Sequence, residues 1–216
     1  MSRRLYNRNM EPVKNGKKPL KYSSIAMSGR PGAGRSTLLK NLRPYLEQLH
    51  WEFFSGGDWS RQFSIKAGKQ DPNDPKHHLA TDYGDEVDLQ IDVAMREKIS
   101  DPAVHMAIES WIAGWNARGI KHVLKVLLMC DDALRIDRVV NRDNITVEEA
   151  KEHIHTREES NLAKWKRMYG VQDFWDPKHY DLIINTYSHG PRETLDLVLQ
   201  AIGYFNANGQ KAHDKP

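Results

Sequence analysis

Residues 28–37 read SGRPGAGRST, from Ser28 to Thr37. Gly29, Gly34 and the Ser36-Thr37 pair satisfy the phosphate-binding pattern G-x-x-x-x-G-K-[ST] at every place but one, where Arg35 stands for lysine. Upstream, YSSIAMSG is a short, mostly apolar run ending in Gly29, and predicts a buried strand. Downstream, STLLKNLRPYLEQL spaces Leu38, Leu39, Leu42, Tyr45, Leu46 and Leu49 as a helix does, with Pro44 as a candidate kink. A glycine loop between a strand and a helix N-terminus turns backbone N–H groups inward, where the helix dipole adds positive potential. Gly29, Arg30, Pro31, Gly32, Ala33, Gly34, Arg35, Ser36 and Thr37 are therefore the candidate phosphate-binding residues, with a Ser36 or Thr37 hydroxyl aimed at Mg²⁺. Arginine keeps the charge of the missing lysine and can grip phosphate with a fork. It is longer and planar, so Arg35 predicts retained binding more firmly than retained transfer.

Further strands are predicted in WEFFSGGD (with a turn), AVHMAIE ending at Glu109, HVLKVLLM and YDLIINT. Between them, residues 59–102 read as helical pieces around a loop at KQDPNDPKHH, SWIAGWNA as a helix broken near Arg118-Gly119, and DALRIDRVVNRDN as a helix. Thr146 and Glu149 form a capping-box signature for the next helix, and Pro191 opens a last one. Strands alternating with helices predict an α/β, doubly wound parallel sheet of five strands. Ligands in such sheets bind beyond the carboxyl ends of the strands, so Gly29, Asp58 and Glu109 are expected at one mouth.

At 216 residues the chain is long enough for one α/β domain, expected over residues 22–203. Cys130 is the single cysteine, which excludes an internal disulfide and suits a cytoplasmic setting. No apolar run of about 18 residues is present, so no membrane span is expected, and the basic N-terminus lacks the apolar core of a secretory signal. Residues 1–21 carry seven Lys/Arg against one acid, a charge of +6 that leaves −3 for the remainder. A disordered basic tail is expected there, and a flexible tail over 204–216. Nucleic-acid contact is expected at most through the basic tail, and a monomer is expected.

Arg135, Arg138 and Arg142 fall at i, i+3 and i+7, on one helical face, with Arg157 on the next segment. Together with the loop upstream they read as a phosphate-clamping lid. Asp88 and Asp92, at i and i+4, read as a solvated acidic helix rather than as paired acids. The ten histidines form no recognisable metal set.

These segments together resemble the cytidylate kinase family, in its compact archaeal and bacterial form. IAMSGRPGAGRSTLLKNL resembles that family's phosphate loop and first helix, FFSGGDWSRQF its SxGDxxR acceptor segment, NRDNITVEEAKEHIHTREESNLAKWKRMYG its lid, and YDLIINT its last strand. The resemblance runs from about Ser24 to Ile202. It implies a P-loop nucleoside monophosphate kinase fold, with an acceptor insert at about 58–102 and a lid at about 138–160. ATP and Mg²⁺ are the implied co-substrates, small-molecule nucleotides the partners, and CMP or dCMP the acceptor. By position, Asp58 and Arg61 would meet the acceptor, and Arg138, Arg142 and Arg157 would serve the lid and the transfer step. Glu109 would lie near the magnesium water shell. Two departures accompany Arg35's. Ser110 and Trp111 stand where a Gly-Arg pair is expected. Val93, Ala94 and Met95 stand where polar nucleotide contacts are expected. Each lost charge-assisted contact costs about 1.5–3 kcal/mol. Trp111 offers compensation by stacking on a base. A kinase and a catalytically weakened nucleotide-binding pseudokinase, acting as sensor or scaffold, are the two leading readings, and a nucleic-acid-associated P-loop protein guided by the basic tail ranks last because the rest of the chain is net acidic.

Overall fold

A computed structural model of the chain describes residues 14–15, 18–69, 71–73 and 84–204. Most of the basic tail, the His77-His78 loop and residues 205–216 lie outside the described residues. Five parallel strands form one sheet: β1 (Ser24–Gly29), β2 (Glu52–Ser55), β3 (Met106–Glu109), β4 (Val123–Met129) and β5 (Leu182–Asn185). Their spatial order is β2-β3-β1-β4-β5, so β1 is central. All six residues of β1 are buried, as a central parallel strand covered on both faces requires.

Helices cover both faces. Alternation along β1 sends Ile25 and Met27 into one core with α1 (Arg35–Leu46) and α7 (Pro191–Ala201), and Ala26 into the other with Ile99, Ile108 and Val123. That second face carries α3 (Asp85–Ser100) and the short α4 (Ala113–Asn116). Two further helices, α5 (Asp132–Asp143) and α6 (Val147–Tyr169), pack against each other. A third core, made of Ile112, Trp115, Trp165 and Phe174, joins α6 to the body. No described helix is long and apolar enough to cross a membrane.

The expected elements form, with three differences. SGGD is not a turn: α2 (Gly56–Lys66) begins directly after β2, because the Ser55 side chain accepts the Asp58 N–H at 3.2 Å and caps it. SWIAGWNA yields only the four residues of α4, since Gly119 at φ +80° turns the chain soon after it. α1 runs through Pro44 but ends at Leu46, and the last expected helical residues, Glu47–Leu49, form a 3₁₀ turn instead. The capping box at Thr146 forms as expected, with Thr146 N–H donating to Glu149 Oε2 at 2.9 Å and Glu149 N–H to Thr146 Oγ1 at 3.2 Å.

Candidate functional site

The carboxyl ends of β1, β2 and β3 deliver Gly29, Ser55 and Glu109 to one side of the sheet, with Ser55 and Met27 each level with Glu109. From Gly29 the chain enters the glycine loop and then α1, whose N-cap is Gly34 at φ +97°. No side chain caps this helix and its first turn holds no acid. The first helical bond is Leu38 N–H to Gly34 O at 3.0 Å, so the N–H groups of Arg35, Ser36 and Thr37 precede it and face out of the N-terminus. Those are the donors an anion needs.

The loop's orientation is set from behind. Arg135 Nε donates to Pro31 O at 2.8 Å, Arg138 Nη1 to Gly32 O at 2.9 Å, and Thr186 Oγ1 to Ala33 O at 3.1 Å. Three consecutive carbonyls are thus pinned to one side. Gly32 is required here: at φ +76° a Cβ would lie 2.7 Å from Arg135 O. Arg135 is itself buried and ion-paired to Asp132 and Glu158. Arg30, beside it, reaches Glu158 at 3.3 Å and lies over Trp175.

Glu109 is the junction. Its Oε1 accepts from Ser55 Oγ at 2.6 Å and Ser36 Oγ at 3.2 Å, while Oε2 faces Arg35 Nη1 at 3.1 Å. The Arg35 and Glu109 side chains are only 13% and 2% exposed, so this ion pair is shielded from water. Burial pulls the Arg35 pKa below its ordinary value; Glu109 opposes that, and Arg142 and Arg135 add to it. The guanidinium also lies over the Trp111 ring at 5.9 Å, and Arg157's lies over the same ring at 5.2 Å.

These residues fit the phosphates of a nucleotide. At Glu109 a directly bound cation would meet the Arg35 guanidinium, which faces Oε2, beside the two serine hydroxyls on Oε1. Among the described residues no group of three or more His, Cys, Asp or Glu gathers as a metal set.

Beside the loop opens a cleft with a volume of about 100 Å³, between α2, α3, α6 and the segment after β3. Trp111, Ser110 and Arg157 line it, as do Trp59, Ser60, Ile91, Met95 and Trp165. So do Asp88 and Asp92, which corrects the expectation of a solvated acidic helix. Asp88 pairs with Lys164 Nζ at 2.5 Å, and Lys164 is 2% exposed. Tyr169 Oη donates to Asp92 Oδ2. Burial pushes the Asp92 carboxyl up to about 6, against the lowering effect of hydrogen bonds from Tyr169 and Asn116. Burial and the neighbouring Asp92 raise Tyr169 in turn.

Other expected residues lie apart. Asp58 is exposed in the first turn of α2 and Arg61 reaches Pro72 O at 3.1 Å, while Gly56, Gly57, Trp59 and Ser60 form the cleft wall on that helix. Val93 and Ala94 are exposed, so of the three residues 93–95 only Met95 faces the cleft. Arg138 lies behind the loop with both Nη atoms on Thr186, at 3.0 Å each. Arg142 is paired with Asp143 at 2.6 Å.

Residues 57–188 match the Cytidylate kinase-like family. The chain belongs to this family. It is 31% identical to a cytidylate kinase of Haloarcula marismortui over 187 residues, 87% of this chain and 93% of that protein. It is likewise 31% identical to a cytidylate kinase of Thermococcus kodakarensis over 191 residues, 88% of this chain and 93% of that one. Among solved structures, an uncharacterized protein from Eubacterium ventriosum aligns with a TM-score of 0.59 at 13% identity, covering 84% of this chain and 99% of its own. A gluconokinase from Sinorhizobium meliloti aligns with a TM-score of 0.51 at 12% identity, covering 87% and 95%. These two establish the P-loop kinase fold alone. The family match starts at residue 57, after the glycine loop, while the alignments to the two cytidylate kinases, over 87% and 88% of this cytidylate kinase-like chain, are too long to leave the loop out.

Sequence reasoning did not find the Asp92–Tyr169 and Asp88–Lys164 pairs, nor Arg135 as the anchor of Pro31. The i, i+3, i+7 arginine pattern did signal Arg135, although two of its three members turned out to hold the loop from behind rather than project into the site.

Proposed function

We propose that this chain transfers the γ-phosphoryl group of ATP to CMP, dCMP or a related acceptor. One observation carries the reading: the phosphate cradle and the cleft share a wall. Gly29 N–H donates to Trp111 O at 3.2 Å, and Trp111 and Arg157 line the cleft on the other side. ATP supplies the phosphoryl group. Its phosphates would rest on the N–H groups of residues 34–37, with the Arg35 charge beside them. The acceptor would enter the cleft between Trp59 and Trp111. Arg157 would orient its phosphate against the donor, and Arg142 would approach from the lid, residues 138–160, when that segment closes and excludes water. Positioning and charge stabilisation then suffice, and no covalent intermediate is needed. Asp92 suits cytosine. Its carboxylate can accept from the exocyclic amine, where uracil offers a carbonyl oxygen instead.

The test is ADP formation from ATP across CMP, dCMP, UMP, AMP and GMP, with Arg35→Lys alongside. Turnover with a cytosine nucleotide is expected. No ADP above background from either protein with any acceptor would contradict the reading.

The Arg35–Glu109 pair favours one second reading, a nucleotide-binding pseudokinase that acts as a sensor or scaffold. It predicts ATP binding without turnover in the native chain and turnover restored by Arg35→Lys.

A further inference from the structure

We infer that the Arg35 guanidinium takes the place of the divalent cation, so that this site binds a nucleoside di- or triphosphate without a metal ion. The inference rests on the phosphate-loop reading above and concerns the loop's own cation. Three observations carry it.

Glu109 is the carboxylate at the strand ends beside the loop, and three side chains already gather on it. Ser36 and Ser55 hydroxyls donate to Oε1, and Arg35 Nη1 stands 3.1 Å from Oε2. Ser36 is also the residue whose hydroxyl the loop pattern offers to a metal; its oxygen keeps lone pairs here, so the position of the guanidinium on Oε2 is what competes with a cation. A hydrated Mg²⁺ keeps near-octahedral geometry and several waters. It has room at this point only if a buried ion pair separates.

The guanidinium is built to stay. Its side chain is 13% exposed, the carboxylate opposite it is 2% exposed, and the Trp111 ring lies 5.9 Å from the guanidinium carbon. A lysine ammonium is a compact, strongly hydrated charge that leaves space for a neighbouring metal; a guanidinium is planar, weakly hydrated and larger.

The geometry of the pair leaves donors over. Arg35 Nη1 and Glu109 Oε2 are buried and meet as charges without a well-directed hydrogen bond between them. Guanidinium carries five N–H donors in a fork that matches phosphate oxygens. Standing at the start of α1, the same group can hold Glu109 on one edge and phosphate on the other. That bridging position is the one a metal ion fills between a carboxylate and phosphate oxygens.

The experiment is calorimetric titration of the full chain with ADP, once in excess EDTA and once in excess Mg²⁺, with Arg35→Lys in parallel. ADP is the probe because it is not a phosphoryl donor to the acceptor. The native chain is expected to bind ADP in EDTA, and excess Mg²⁺, which sequesters ADP as its metal complex, is expected to weaken that binding. In Arg35→Lys, Mg²⁺ is expected to tighten ADP by about tenfold or more. Native binding that excess Mg²⁺ leaves unchanged or tightens, or that requires Mg²⁺, would overturn the inference and leave the kinase reading in place. Absence of ADP binding in both buffers would overturn both together. Titrating Mn²⁺ by electron paramagnetic resonance gives a readout free of the variant: adding the native chain to Mn²⁺–ADP is expected to release ADP from the metal and raise the free aquo-Mn²⁺ signal. A new protein-bound Mn²⁺ signal would contradict the inference.

Discussion

The two halves of the site are made of different material. At the glycine loop, the proposed donor side, the backbone forms the site: three carbonyls are pinned behind the loop, and the N–H groups of a helix start face forward. At the cleft, the proposed acceptor side, side chains form it. Two carboxylates, a buried lysine, a tyrosine and three tryptophans gather from α2, α3, α6 and the segment after β3. A backbone site depends on a few φ values and tolerates changes in what surrounds it. A side-chain site depends on every partner being present, because burying any one of them unpaired is costly.

That difference predicts how each half breaks. Lys164→Met should have the largest effect. It strands Asp88 in the cleft beside Asp92, and removal of one partner from a buried pair costs about 3–5 kcal/mol. In a domain of this size that is a fall in Tm of about 6–20 °C. Thermal unfolding followed by circular dichroism reads it, and ADP affinity of the still-folded protein should be unchanged.

Gly32→Ala should invert the pattern. A Cβ 2.7 Å from Arg135 O, at φ +76°, forces the loop off its anchor. ADP affinity should fall about a hundredfold, equivalent to about 2.7 kcal/mol, while the acceptor cleft is preserved. Titration with ADP and with CMP separates the two. Equal losses for both ligands would mean that the halves are not independent.

A pH experiment sharpens the acceptor side. Asp92 rises from an ordinary 3.8 to about 6 on folding. The folded state therefore holds this proton more tightly than the unfolded chain. Its contribution is fully present below about 3.8, is lost as pH rises toward about 6, and is absent above that. The swing is on the order of 2–3 kcal/mol. Urea unfolding of the native chain and of Asp92→Asn at a series of pH values across that interval should show the slope in the first and a flatter profile in the second. Thr146→Ala should have the smallest effect. Loss of the cap on α6 costs about 1 kcal/mol, a fall in Tm of about 2–4 °C, with both ligand affinities unchanged.

The same contrast explains what was legible in the sequence. β1, the glycine loop and α1 are contiguous, and their glycines and apolar spacing state the geometry directly. The Thr146–Glu149 cap and the Pro191 helix start are equally local. Glu109 was legible as a strand-end acid, but its pairing with Arg35 was not, because the two are far apart in the chain and meet only through the β1–β3 register. Asp88 and Asp92 look solvated on α3 alone. They become buried when α6 brings Lys164 and Tyr169 onto them from more than seventy residues away. Val93 and Ala94 drew attention as missing polar contacts, yet the helix phase that sends Asp92 and Met95 to the cleft sends those two outward.

The central claim is that loop and cleft form one transfer site. Affinity for a bisubstrate ligand, adenosine joined to cytidine through a chain of five phosphates, tests it most directly. The account predicts binding about a hundredfold or more tighter than ADP, lost in both Gly32→Ala and variants of the cleft. A linked ligand that binds no tighter than ADP would contradict it.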